Sequence, residues 1–217
     1  MFSITRAVPQ LVAAALLVIS AGDANEMTFG HFTGTVKVEW VRSQGQDLRM
    51  KLLEDFSYVD PKSKAWTAQK GYETDGASIP KAFWSIVGGP FEGGYREAAV
   101  IHDWYCDKKT EPWRDVHRIF YYASRAAGVP EQKAKIMYAA VRIGGPKWGT
   151  NDSHCYSCHI NPETYSVDKY GRVVNIPRTT VDDAQRIAKW VQDSNPSLEH
   201  IDAFAKANFP DSKFGHE

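Results

Sequence analysis

Two groups of residues in this chain have types and spacings suited to chemistry. The first is Cys155-Tyr156-Ser157-Cys158-His159. Two thiols separated by two residues can reach the two vinyl groups on one porphyrin edge, and the next residue brings its imidazole under the iron. On that reading Cys155 and Cys158 carry covalent haem c, and His159 is the proximal ligand through a neutral ring nitrogen. The same residues admit other chemistry. Cys155 and Cys158 can form a disulfide, or one of them can pair with Cys106. The pair can also hold structural zinc with His154 or His159. The chain has three cysteines, so haem attachment and every intramolecular disulfide scheme alike leave one thiol over. Candidates for a second iron ligand are His200, His154 and His216, in falling order. His200 precedes Ile201 and Phe204 on a predicted helix that can close over a porphyrin face. Five-coordinate iron would bind ligands, and a bis-His pair would carry electrons.

The second group is His102-Asp103, with His117 further on. A histidine near its ordinary pKa takes or gives a proton at neutral pH, and an adjacent carboxylate can hold a cation. On one helix His102 and Cys106 share a face at i,i+4, while Asp103 points about 100° away. Three readings follow. His102, Asp103 and His117 are the catalytic residues of a hydrolase; or they ligate a divalent metal, imidazole with carboxylate suiting zinc or iron; or His102 is a buried, hydrogen-bonded hairpin residue and Asp103 bonds the amides of the loop from Thr74 to Ser78.

The elements that must position these groups fall into two textures. From Phe29 to about Gly76 the pattern is strand-like. Runs near residues 35–41, 48–58 and 65–72 are separated by the turn residues Gly45-Gln46-Asp47 and Asp60-Pro61-Lys62-Ser63, which predicts a small antiparallel meander. After Pro80 the texture is helical. Short helix is predicted over 81–87, then helices over 95–106, from Pro112 to Ala127, and from Pro130 to about Ile143, each of the last two closed by glycine. Two more are predicted over 181–193 and 196–207, the first with Thr180 as N-cap and Asp183 three residues on. Residues 147–179 show little periodicity. Strands followed by helices predict an α+β domain with a helical C-terminal extension.

Composition sets the class and the address. Of 217 residues 43% are hydrophobic, and 26 basic residues balance 26 acidic ones. A disordered chain, a fibre and a coiled coil are excluded, and no net field draws the chain to nucleic acid. Arg6 precedes the apolar run 11–19, then small residues up to Ala24 and the polar pair Asn25-Glu26. This is the pattern of a secretory signal peptide, too short to span a bilayer. The organisation expected is therefore a signal peptide over 1–24, an α+β domain over 25–146, and an extension over 147–217. The chain is expected in the periplasm or secreted, with no stable membrane span after cleavage.

Thr74-Asp75-Gly76-Ala77-Ser78-Ile79-Pro80, then Ala98-Ala99-Val100-Ile101-His102-Asp103-Trp104-Tyr105, His117-Arg118-Ile119-Phe120-Tyr121, Gly128-Val129-Pro130 and Tyr138-Ala139-Ala140-Val141-Arg142 together resemble the signature of domain-of-unknown-function family 1353. The resemblance covers roughly residues 30–150 and implies a fold without an activity. The His-Asp hairpin also resembles secreted phospholipases of the A-two type, in which the His activates water and the Asp binds calcium; the expected Tyr four residues after the His is Cys106 here, and the second-helix Asp falls at His117. Residues 155–159 resemble c-type cytochromes in those five positions alone. The function expected is an exported haem protein with a redox or electron-transfer role and a redox partner protein. The alternatives are a secreted hydrolase acting on lipid or cell-wall material, metal-assisted or not, and a non-catalytic, disulfide-stapled envelope protein.

Overall fold

The structure is a computed structural model that describes residues 29–42, 48–74, 76, 78–89, 93–148, 166–167, 173–174 and 179–209. Residues 1–24 and 155–159 lie outside the described residues, as do His154 and His216.

Strand content is antiparallel throughout, in two three-stranded sheets and a short hairpin. One sheet orders β1 (His31–Thr33), β4 (Phe56–Val59) and β5 (Ala65–Ala68); the other orders β2 (Val38–Val41), β3 (Arg49–Leu52) and β6 (Glu73–Thr74). The hairpin pairs β7 (Ser166–Val167) with β8 (Val173–Val174). Period-two alternation turns Met50 and Leu52, Phe56 and Tyr58, and Trp66 and Ala68 inward. The single meander predicted from the sequence is instead two sheets. The run 48–58 breaks at Leu53-Glu54-Asp55, which are exposed. There the Asp55 carboxylate accepts the Lys70 amide at 2.8 Å and Leu53 N–H reaches back to the Lys37 carbonyl at 2.9 Å, so β3 and β4 diverge. The Asp60 turn forms as its residues predict: Asp60 Oδ1 accepts the amides of Lys62 and Lys64 at 2.8 and 2.9 Å, and Oδ2 accepts Trp66 Nε1 at 3.1 Å. Gly30, at φ +75°, lies where a Cβ would sit 2.1 Å from the Val59 carbonyl oxygen, so only glycine lets the chain enter β1.

A 3-10 turn, Lys81–Phe83, leads into α1 (Trp84–Val87), followed by α2 (Arg96–Lys108), α3 (Trp113–Ala126), α4 (Glu131–Gly144), α5 (Val181–Ser194) and α6 (Leu198–Asn208). Pro112 and Pro130 precede α3 and α4 as N-caps, and α5 opens with the predicted Thr180–Asp183 capping box. The chain is α+β, as its texture implies. Helix α2 packs against α3 and the strands, α3 against α4, and the α5–α6 pair against α4. Tyr105 OH accepts the Thr67 amide at 3.0 Å and Tyr72 OH donates to Asp107 at 2.9 Å, which join β5 and the β6 approach to α2. No described helix is long and apolar enough to cross a membrane.

The C-terminal pair is fastened by Asp202 on α6. Its carboxylate accepts from Tyr138 OH at 2.6 Å, Arg142 Nε at 2.8 Å and an Arg118 guanidinium nitrogen at 2.8 Å. Arg142 is 3% exposed, and Asp202 is a carboxylate paired with that buried cation. Replacing Asp202 with alanine should cost about 2–3 kcal/mol in a denaturant titration. A change below about 0.5 kcal/mol, the usual size of a surface substitution, would show that the contact does not hold the pair in place.

Candidate functional site

Helix α2 is buried over Ala98, Ala99, Val100, Ile101, His102, Asp103 and Cys106, so its polar side chains are forced into the protein. His102 and Cys106 lie on one face, a turn apart, and that face meets α3 at His117. His102 Nε2 and His117 Nδ1 are 2.9 Å apart, and Cys106 Sγ lies 3.7 and 3.6 Å from His102 Nδ1 and Nε2. The three residues are 1%, 0% and 2% exposed. Around them pack Phe120 against His102, with centroids 4.8 Å apart, and Trp113 and Trp148 edge-on to His117 at 5.4 and 6.4 Å. Trp148 is pinned by its indole N–H on the Glu111 carbonyl at 2.9 Å. Gly145 lets the backbone run close by: a Cβ there would meet the Val141 carbonyl at 2.4 Å and His117 Cε1 at 3.1 Å.

Asp103 points away from this face, as helix geometry requires. Thr74 Oγ1 donates to its Oδ2 at 2.5 Å, and Ser78 donates to Oδ1 through its hydroxyl at 2.9 Å and its amide at 3.3 Å. The Gly76 amide in turn donates to Thr74 Oγ1 at 3.0 Å. Asp103 thus ties the Thr74–Ser78 loop to α2, the structural role read as one alternative from the sequence. Its Oδ1 is 3.6 Å from His102 Nδ1.

Proton placement at the histidine pair depends on the tautomers: with His102 Nε2–H donating to His117 Nδ1 at 2.9 Å, His102 Nδ1 faces the Cys106 thiol at 3.7 Å. A neutral imidazole carries one N–H. With the His102 proton on Nδ1, facing Asp103, its Nε2 is a lone pair and His117 must supply Nδ1–H. His117 Nε2 is then bare, and among the described residues it has no hydrogen-bond partner. The nearby Pro146 carbonyl favours the protonated ring, although it falls short of a hydrogen bond. With the His102 proton kept on Nδ1, a proton on His117 Nε2 leaves two lone pairs facing each other across 2.9 Å; with it on Nε2, the two rings share a hydrogen bond. Adding a second proton would place a cation in the core. Burial opposes that most strongly, followed by His102, Arg142 and Lys147, and together they hold His117 well below the usual histidine range.

His102, Cys106 and His117 together offer ligand atoms all within 4.8 Å of one another, a group able to hold a metal ion. The sequence brought forward His102 and His117 for a metal but paired them with Asp103. The structure puts Cys106 in that place. The i,i+4 face shared by His102 and Cys106 was visible in the sequence; its convergence on His117 needed the α2–α3 packing. His200 is exposed in the first turn of α6, where its amide donates to Ser197 Oγ at 3.2 Å, and it does not join this cluster. Cys155, Cys158 and His159 fall outside the described residues, and among the described residues no disulfide forms.

Residues 50–141 match the family described as "Protein of unknown function (DUF1353)". This segment belongs to the DUF1353 family. The DUF1353 segment runs from β3 into α4 and contains His102, Asp103, Cys106 and His117, but neither the C-terminal helix pair nor residues 155–159. The chain is 48% identical over 120 residues to the uncharacterized protein y4jT of Sinorhizobium fredii, across 55% of this chain and 35% of that protein. It is 40% identical over 149 residues to the uncharacterized protein y4iH of the same organism, across 65% of this chain and 62% of that protein. This chain therefore spans less than two thirds of either relative. No solved structure matches it significantly.

The lowered His117 pKa has a definite sign. The unfolded chain takes up a proton on His117 near 6.5, whereas the folded chain resists it until lower pH. Unfolding therefore binds protons in that window, and stability falls as pH drops through it. The melting temperature of metal-stripped protein should decline between about pH 7 and 5, and His117→Gln should flatten part of that decline. An identical slope in the variant would place the acid sensitivity elsewhere.

Proposed function

We propose that this is an exported metal-binding protein with a redox role, in which His102 Nε2, His117 Nδ1 and Cys106 Sγ hold one transition-metal ion in the core. The observation that carries the reading is the 2.9 Å approach of two buried ring nitrogens with a buried sulfur beside them. An ion between the rings is an arrangement that suits both histidines. Both inner nitrogens become donors to the metal, and both outer nitrogens keep their protons, His102 Nδ1 toward Asp103 and His117 Nε2 toward Pro146. Carboxylate and carbonyl partners behind metal-bound histidines are the usual means of fixing ring orientation. The distances support the assignment. Bonds of about 2.05 Å to nitrogen and 2.3 Å to sulfur in a tetrahedral arrangement put nitrogen and sulfur about 3.6 Å apart; Cys106 Sγ lies 3.6 Å from His102 Nε2, 3.7 Å from its Nδ1 and within 4.8 Å of the His117 ligand atom. The same geometry asks for about 3.3 Å between the nitrogens, and a trigonal one for about 3.5 Å, so the rings must separate by several tenths of an ångström from 2.9 Å.

The second part of the proposal is the haem. Cys155 and Cys158 would form the thioether links and His159 would ligate the iron, the chemistry that the C-x-x-C-H spacing serves. Export to the periplasm, read from residues 1–24, is the setting that this attachment needs. Two redox-capable groups on one chain favour electron transfer, with a redox partner protein, over hydrolysis. The hydrolase reading asks His102 to meet a substrate, yet its side chain is sealed in the core, and a general base must come within hydrogen-bond reach of the proton it takes.

Metal-stripped protein should bind one equivalent of Zn(II) or Co(II), with Co(II) giving thiolate charge-transfer absorption. His117→Gln or Cys106→Ser should weaken binding at least about 100-fold while the circular dichroism spectrum is retained. Binding that is indifferent to both substitutions would place the metal elsewhere. For the haem, intact mass of the chain from a host that attaches haem c should show a porphyrin adduct that Cys155→Ala/Cys158→Ala removes. An unmodified mass, with Cys155 and Cys158 recovered as a disulfide, would leave a stapled envelope protein instead.

A further inference from the structure

The identity of the ion in the His102–Cys106–His117 site can be argued further, on the basis of the metal reading above. We propose that it is copper, cycling between Cu(I) and Cu(II) as a one-electron carrier.

The donor set is two imidazoles and one thiolate. Asp103, which points away from this face, has both oxygens engaged by Thr74 and Ser78, and Asp107 accepts from Tyr72 OH; neither adds a hard ligand to the group of three. Two histidines and a cysteine around a trigonal site are the donor pattern of copper electron-transfer centres. Zinc asks for something different. A structural zinc site is closed by four protein ligands, and a catalytic one keeps a fourth position open to water. Among the described residues the group offers three ligands, not four, and those ligands are sealed from solvent behind Phe120, Trp113 and Trp148. Copper accepts three strong ligands in a dry site in both oxidation states.

The frame around the site suits a carrier that must not rearrange. His102 and Cys106 sit one turn apart on α2, His117 is held on α3, and the Gly145 backbone and Trp113 press on its ring. Trp113 is in turn covered by the Arg142 guanidinium, 4.4 Å from its ring, and Asp202 fixes Arg142. The ligands therefore keep nearly the same positions in either state, which keeps reorganisation small. The reaction balances without protons: Cu(I) gives one electron to a ferric haem protein, the copper becomes Cu(II), the iron becomes ferrous, and no ligand bond forms or breaks.

The test uses the full exported chain after metal removal. It is titrated with Cu(I) under anaerobic conditions and separately with Zn(II), and the copper form is then oxidised with ferricyanide and examined by electron paramagnetic resonance. The expected result is one Cu(I) per chain bound at least about tenfold more tightly than Zn(II), and a Cu(II) signal whose narrowed hyperfine splitting reports copper–sulfur covalency. That splitting is read in the unaltered protein, so it does not depend on a variant folding; in Cys106→Ser it should widen to that of a nitrogen and oxygen site. If Zn(II) binds at His102, Cys106 and His117 as tightly as copper, or oxidised copper shows no sulfur coupling, the copper assignment is overturned and the metal site stands. If neither ion binds, both fall.

Discussion

Two imidazoles facing each other in a dry core, 2.9 Å apart, are the constraint on which the rest of this molecule turns. Nothing about helix packing asks for histidine at those positions; leucine or phenylalanine would fill the same volume without desolvating polar atoms. The arrangement holds because α2 and α3 are packed by strongly buried neighbours such as Val100, Ile101, Val116 and Phe120. Those neighbours leave the rings no path to water. A polar cluster in such surroundings is costly wherever it is only partly satisfied, and these three side chains form a group able to hold a metal ion.

The site is anchored from two sides. Toward the sheets, Asp103 binds Thr74 at the end of β6 and Ser78 beyond it, so the strand that closes one sheet is tied to the helix carrying His102 and Cys106. Toward the C-terminus, Asp202 gathers Tyr138, Arg142 and Arg118, and Arg142 lies over the indole that borders His117. The C-terminal pair lies outside the family match, yet its carboxylate neutralises a buried cation separated from His117 by a single ring, that of Trp113. The small sheets and the last two helices flank a cluster that none of them forms alone.

Much of this was legible in the sequence because the signals were local. The Thr180–Asp183 cap, the prolines before α3 and α4 and the Asp60 turn are decided within a few residues of chain. The division of residues 48–58 between two sheets was not legible. Met50, Leu52, Phe56 and Tyr58 keep one alternation phase throughout, and the break is made by a contact from Asp55 to Lys70, fifteen residues away. At the site, the direction of Asp103 followed from helix geometry, and so did the shared face of His102 and Cys106. That Cys106 rather than Asp103 completes the group with His117 depends on how two helices rotate against each other, which periodicity does not specify. His200 was ranked for its helical neighbours, and its exposure follows from where α6 docks.

X-ray absorption at the edge of the metal bound to the purified chain reads the donor atoms themselves. The account predicts one sulfur scatterer at about 2.2–2.3 Å and two imidazole nitrogens at about 2.0 Å, with no bound water. A shell of oxygen and nitrogen alone, with no sulfur, would contradict it.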